Sequence, residues 1–234
     1  MKADPASQRR LLALQAVDTS IAQLEHRVQT LPIHEVIKHL AEQRQASLDD
    51  HIAAETALSD AEAARAKAEA DVVPVKERLA RNEKRIHDGS LDAKALTGMI
   101  DEVAHLKTRI ATLEDVELEA MEALEAAEER GTATADAAQA AEAGLRSAVE
   151  ERDALMAEAR AEMKGHRAQR EAIVQDLPAD LVTLYDKVRS RYRGIGAAEL
   201  QGRRCTACGL EATTADYNRY VAAPPDEVLR CTEC

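Results

Sequence analysis

Leu14, Val17, Ile21, Leu24, Val28 and Leu31 follow one another at alternating spacings of three and four residues. That spacing holds the apolar side chains on one narrow stripe of an α-helix, the seam of a coiled coil. Pro32 ends the run. A second helix is expected to begin near His34 and to continue to about His87. Its seam reads Ala54/Leu58, Ala61/Arg65, Ala68/Val72, Val75/Leu79 and Asn82/Ile86. The alanine knobs let a partner helix approach closely. Pro74 lacks an N–H and crowds the preceding turn, so a kink or local break is expected there.

His87-Asp88-Gly89-Ser90 carries a turn signal, and Asp88, Ser90 or Asp92 can cap the helix that follows. In that third helix Leu96/Met99, Val103/Leu106 and Ile110/Leu113 continue the heptads. The segment then becomes alanine-rich, with Gly131, Gly144 and Gly165 as weak points. A short turn between two long heptad segments predicts an antiparallel hairpin within the chain, and pairing between chains is the alternative; monomer and dimer both remain open. Fifty helical residues would span ~75 Å. No repeat of 30–50 residues accompanies the heptads.

Composition fits this reading. The 234 residues include no Trp, no Phe and four Tyr, and 32% are charged. Alanine favours helix but buries little area, so stability must come from many thin contacts along a seam. The expected class is mainly α: a long antiparallel coiled-coil hairpin with a small C-terminal zinc ribbon.

The ribbon is inferred from a change near Leu177-Pro178. All four Tyr and all four Cys lie beyond it. A helical arm over 1–175 and a compact domain over 178–234 are expected. Cys205-Thr-Ala-Cys208 is followed after 22 residues by Cys231-Thr-Glu-Cys234. Two such knuckles can place four thiolates around one structural Zn²⁺. Tyr217, Tyr220, Val221, Val228 and Leu229 suit short strands, with Pro224-Pro225-Asp226 as a loop. A domain this small and this poor in apolar surface is expected to need the metal to fold. A thioredoxin-like redox pair would need one CxxC in a βαβ setting, and a rubredoxin-like iron site an aromatic shell. Neither setting is visible in the sequence.

The net charge of −12 argues against the whole chain being a nonspecific nucleic-acid binder. Locally the balance reverses. Lys187, Arg189, Arg191, Arg193, Arg203 and Arg204 face only Glu199, and Tyr192 sits among them. They read either as a phosphate-contacting patch for RNA or DNA or as solvated charges at a helix end. Pro178 suits the first turn of that helix. Leu181, Leu184/Tyr185, Val188 and Tyr192 form its apolar stripe, and Gly194 suits its C-cap. Arg78, Arg81, Lys84, Arg85 and Lys94 cluster at the expected hairpin tip, as a partner surface or as solubilising charge.

Leu11–Val17 is interrupted by Gln15, so neither a signal peptide nor a membrane span is expected near the start. A cytoplasmic location follows as the expectation, and reduced thiols favour metal over disulfides. No glycine-rich phosphate loop, nucleophile elbow or HExxH motif is present, so no catalysis and no small-molecule substrate are expected.

Three stretches together resemble the bacterial C4-type zinc-ribbon coiled-coil family, long classed as a domain of unknown function. They are Lys94–Asp115 continuing through Glu117–Glu122, Leu177–Arg189, and the paired CxxC knuckles. Ala222–Cys231 is similar to the actinobacterial branch, and the first helices match in pattern. The resemblance implies a coiled-coil hairpin with a zinc ribbon, the four Cys as ligands, and a binding role. Relatives in other phyla act as adaptors for an alternative sigma factor, for RNA, or for secretion and flagellar components. An actinobacterium would normally lack those partners. The family continues past its last Cys with a further strand, whereas this sequence ends at Cys234. The fourth ligand is therefore expected at a frayed end, where the metal is held less firmly.

Overall fold

The computed structural model describes all residues, Met1–Cys234. The element order is α1 (Pro5–Gln29), α2 (Ile33–His87), α3 (Ala93–Gln175), α4 (Ala179–Arg191), β1 (Leu200–Gln201), β2 (Arg204–Cys205) and α5 (Thr214–Ala222). Two compact units result: residues 35–149, and residues 1–34 with 150–234. The composition change at Leu177-Pro178 falls inside the second of these.

Residues 35–149 form a long antiparallel helical hairpin. Contact partners rise in number along α2 as they fall along α3: Leu40 lies against Gly144, Arg44 pairs with Glu142, Leu58 lies against Gly131, and Lys76 pairs with Glu114. The seam expected on α2 is the buried one. Ala54, Ala68, Val72 and Asn82 are buried, and only Arg65 of the ten positions points to solvent. On α3 the heptad does not fade where the sequence turns alanine-rich. From Leu96 and Met99 through Gly131, Thr134, Ala138 and Ala148 every seam position is at least half-buried. Gly131 is thus a seam residue.

The turn matches its signal. Gly89 adopts φ +67, a left-handed value that a side chain would resist. Of the three candidate caps, Asp92 takes the role, accepting from the Ala95 N–H at 2.8 Å. Pro74 does not break α2, which runs continuously through it. Pro74 and Ala70, the residue whose carbonyl it leaves without an intrahelical donor, are both exposed, where solvent can compensate for the lost bond. No helix is long and apolar enough to cross a membrane.

In the other unit α1 lies antiparallel to the end of α3, with ion pairs Arg27–Glu162, Glu25–Arg167 and Arg10–Asp176. Asp4 caps α1 by accepting from the Ala6 and Ser7 N–H groups, with Pro5 at the first helical position. Leu14 and Ile21 of the expected seam are buried, and Leu14, Leu177, Leu181 and Tyr185 form a core with Ala3.

One buried acid completes this unit. Asp18 is 1% exposed. It accepts from the Tyr185 hydroxyl at 2.7 Å and from Arg170 Nε at 2.9 Å. Arg189 Nε lies 3.3 Å away, off the hydrogen-bond axis, and pairs with Asp18 by charge alone. The network ties α1, α3 and α4 together.

Candidate metal centre and its groove

The hairpin β1–β2 pairs Leu200 with Cys205 and Gln201 with Arg204, turning through Gly202 at φ +61. Along the other side of β2, Ala212 donates its N–H to the Arg203 carbonyl and Cys205 donates to the Leu210 carbonyl. Cys205 through Cys208 form the knuckle, closed by the Gly209 N–H on the Cys205 carbonyl at 2.9 Å, with Gly209 at φ +73. The second knuckle follows α5 and the turn at Pro224-Pro225-Asp226.

α5 corrects one expectation. Tyr217, Tyr220 and Val221 lie on a helix and not on strands, and Val228 and Leu229 are irregular. Thr213 caps α5 by accepting from the Asp216 N–H, and residues 217, 220 and 221 share a helical face. The T-x-x-D capping signal and the i, i+3, i+4 spacing were both present in the sequence.

The four sulfurs of Cys205, Cys208, Cys231 and Cys234 lie within 4.8 Å of one another, and Cys205 Sγ is 4.0 Å from Cys234 Sγ. Four thiolates at ~2.3 Å around one tetrahedral ion would stand about 3.8 Å apart. The donor set therefore fits a four-coordinate metal with small adjustment. The thiols are unequal. Burial alone would raise Cys205, but hydrogen bonds from the Cys208 and Ala207 backbone and from neighbouring thiols bring it below the ordinary cysteine value. Burial and the surrounding sulfurs push Cys234 well above it. A divalent cation would relieve that repulsion.

The cluster opens into a groove of about 980 Å³ between α1, α4 and the ribbon. Leu11, Leu12, Leu184, Val188, Ile195 and Leu229 supply aliphatic walls. Arg9, Arg191, Arg193 and Arg230 also line it, with Glu199 and Glu233 as the acids. None of these four arginines is in an ion pair, although the chain forms many elsewhere.

The expected basic stretch is thus divided. Arg189 turns inward to Asp18. Arg203 donates to the Ala212 carbonyl and Thr214 hydroxyl, and stacks 5.7 Å from the Tyr217 ring centre. Arg204 binds the Gly209 carbonyl and Glu211. Lys187, Arg191 and Arg193 remain without ion pairs, beside a half-exposed Tyr192. At the hairpin turn Arg78 pairs with Glu102 and Arg81 with Glu77, while Lys84, Arg85 and Lys94 have no carboxylate partner.

Comparison with known proteins gives a consistent picture. Residues 14–193 match the CT398-like coiled coil hairpin domain. The protein Rv2229c of Mycobacterium tuberculosis is 33% identical over 234 residues, covering 100% of this chain and 95% of that one. A solved structure from Mycobacterium smegmatis superposes with a TM-score of 0.84 at 34% identity, covering 100% of this chain and 97% of that one. CT398 from Chlamydia trachomatis shares the fold, with a TM-score of 0.66 at 13% identity, covering 98% of this chain and 95% of that one.

Proposed function

The chain belongs to the CT398-like coiled coil hairpin domain family, and from that premise we propose that it is a non-enzymatic, cytoplasmic adaptor whose zinc ribbon docks a protein partner. The observation that carries this reading is the aliphatic groove beside the cysteine cluster, lined by four arginines outside any ion pair. Aliphatic walls offer contact area to side chains and little to a sugar–phosphate backbone, and the arginines suit carboxylates of an acidic, apolar segment. The ion is one structural Zn²⁺. Four thiolates close its shell and leave no position for a substrate. Lys84, Arg85 and Lys94 at the hairpin turn, with Arg78 and Arg81, form a second surface for a partner. The test is a tagged pulldown from native cytoplasm with nuclease added. Proteins retained after nuclease by the unaltered chain, and lost with Cys205→Ser/Cys208→Ser and with Arg191→Glu/Arg193→Glu, support the adaptor. Turnover of any substrate that requires the cysteines contradicts it.

A second reading, binding of RNA or DNA, is favoured by Lys187, Arg191 and Arg193 beside the half-exposed Tyr192. It predicts that charge reversal at Arg191 and Arg193 weakens nucleic-acid binding and flattens its salt dependence. Unchanged affinity in that variant removes it.

A further inference from the structure

The two knuckles of the cysteine cluster are held by different means. The first is local: residues 199–212 provide the β1–β2 pairing, the Cys205 and Ala212 backbone bonds and the Gly209 closure. The second has no helix or strand of its own after Ala222. Its backbone leans on two features elsewhere.

One is the N-terminal segment. The Ala3 N–H donates to the Asp226 carbonyl at 2.8 Å and the Val228 N–H donates to the Met1 carbonyl at 3.1 Å. Lys2 thereby bridges antiparallel to Glu227, and its Nζ reaches the Asp226 carboxylate at 2.9 Å. Gln8 Nε2 fastens both segments, donating to the Ala3 carbonyl and to the Pro225 carbonyl. The other is the Tyr220 hydroxyl, which donates to the Arg230 carbonyl and accepts from the Thr232 N–H, each at 3.2 Å. Those two backbone groups flank Cys231.

We propose that Met1–Ala3 and the Tyr220 hydroxyl are the positioning elements of the second knuckle, so that metal retention by Cys231 and Cys234 depends on a segment at the opposite end of the sequence. This rests on the metal-binding reading of the cluster. A chain segment without regular structure gives up conformational freedom when it captures a metal, which weakens the site. Pairing with Met1–Ala3 fixes residues 226–228 before capture, and Tyr220 fixes residues 230–232. The coupling is reciprocal: losing the metal loosens the N-terminal segment, and releasing that segment loosens the metal.

The test uses the full zinc-loaded chain, a variant in which Lys2 and Ala3 are deleted, and Tyr220→Phe. Zinc stoichiometry is measured first, then the rate of zinc transfer to a chromogenic chelator. Each variant is expected to release zinc on the order of tenfold faster, and the combination about a hundredfold, because the anchors share no atoms. Lys2→Ala, which removes only an exposed ion pair, changes the rate less than about twofold. Helical content by circular dichroism stays constant, since the hairpin of residues 35–149 is untouched. An unaltered chain that carries no zinc overturns the metal reading itself. A full zinc load with unchanged release in both variants overturns the positioning role alone.

Discussion

Replacing Asp18 with alanine is expected to destabilise the unit built on α1, the end of α3 and α4 while sparing the hairpin. The side chain is 1% exposed and holds the Tyr185 hydroxyl and two guanidinium groups. Removing one member of a buried charged pair costs about 3–5 kcal/mol. The low end applies, because Arg170 and Arg189 keep about a quarter to a third of their side-chain surface in water and can rehydrate. Gln15 Oε1, at 3.3 Å, also offers the Tyr185 hydroxyl a second acceptor. We therefore expect a loss of about 3 kcal/mol for Asp18→Ala and about 1 kcal/mol for Tyr185→Phe, with coupling of about 1 kcal/mol between them. All four Tyr lie in this unit and the chain has no Trp. Tyrosine fluorescence in a urea titration thus reports this unit alone, while far-ultraviolet circular dichroism reports all the helices. A fluorescence midpoint that falls while the main dichroism transition holds is the expected result. A shift worth less than about 1 kcal/mol, or one shared equally by both signals, refutes the reasoning.

Other substitutions test the packing. Gly131→Ala should stabilise the hairpin by about 1 kcal/mol in thermal melts, because the new methyl group meets only Leu58 at 4.0 Å and helix propensity improves. Gly196→Ala should destabilise the ribbon-bearing unit by about 1–3 kcal/mol in the same urea titration, since its Cβ would stand 2.6 Å from Tyr185 ring carbons and 2.8 Å from the Tyr185 carbonyl oxygen. Burial first, then the hydrogen bond and charge of Asp18, hold the Tyr185 phenol above its ordinary value of 10.0. The folded state therefore keeps a proton that the unfolded state loses above pH 10. The stability that this group contributes should be fully present below pH 10 and be lost as pH rises beyond it, and Tyr185→Phe should flatten that alkaline slope.

What the sequence disclosed and what it hid divide along contact distance. The seams on α1 and α2, the turn at Gly89 and the cysteine spacing are local patterns, and each takes the place its pattern implied. α5 was legible and misread: β-prone Tyr and Val outweighed a helical spacing and a Thr213–Asp216 cap. The fate of the basic stretch was not legible. Whether an arginine faces solvent or Asp18 depends on a residue in α1, and the Asp18–Tyr185 pair spans 167 positions. The pairing of Met1–Ala3 with Asp226–Val228 is more distant still and leaves no periodic trace. Pro74 shows the reverse case, a strong local signal that does not interrupt the helix, at a position where Pro74 and Ala70 are both exposed.

The account turns on a closed four-sulfur metal site that organises the ribbon beside its groove. X-ray absorption at the zinc edge of the purified full chain tests this most directly. One zinc per chain with four sulfur neighbours at ~2.3 Å, and no oxygen or nitrogen ligand, is the predicted result. A shell of three sulfurs with an oxygen or nitrogen ligand would mean an open position for chemistry and would contradict the structural, non-catalytic reading; a chain that binds no zinc would remove it altogether.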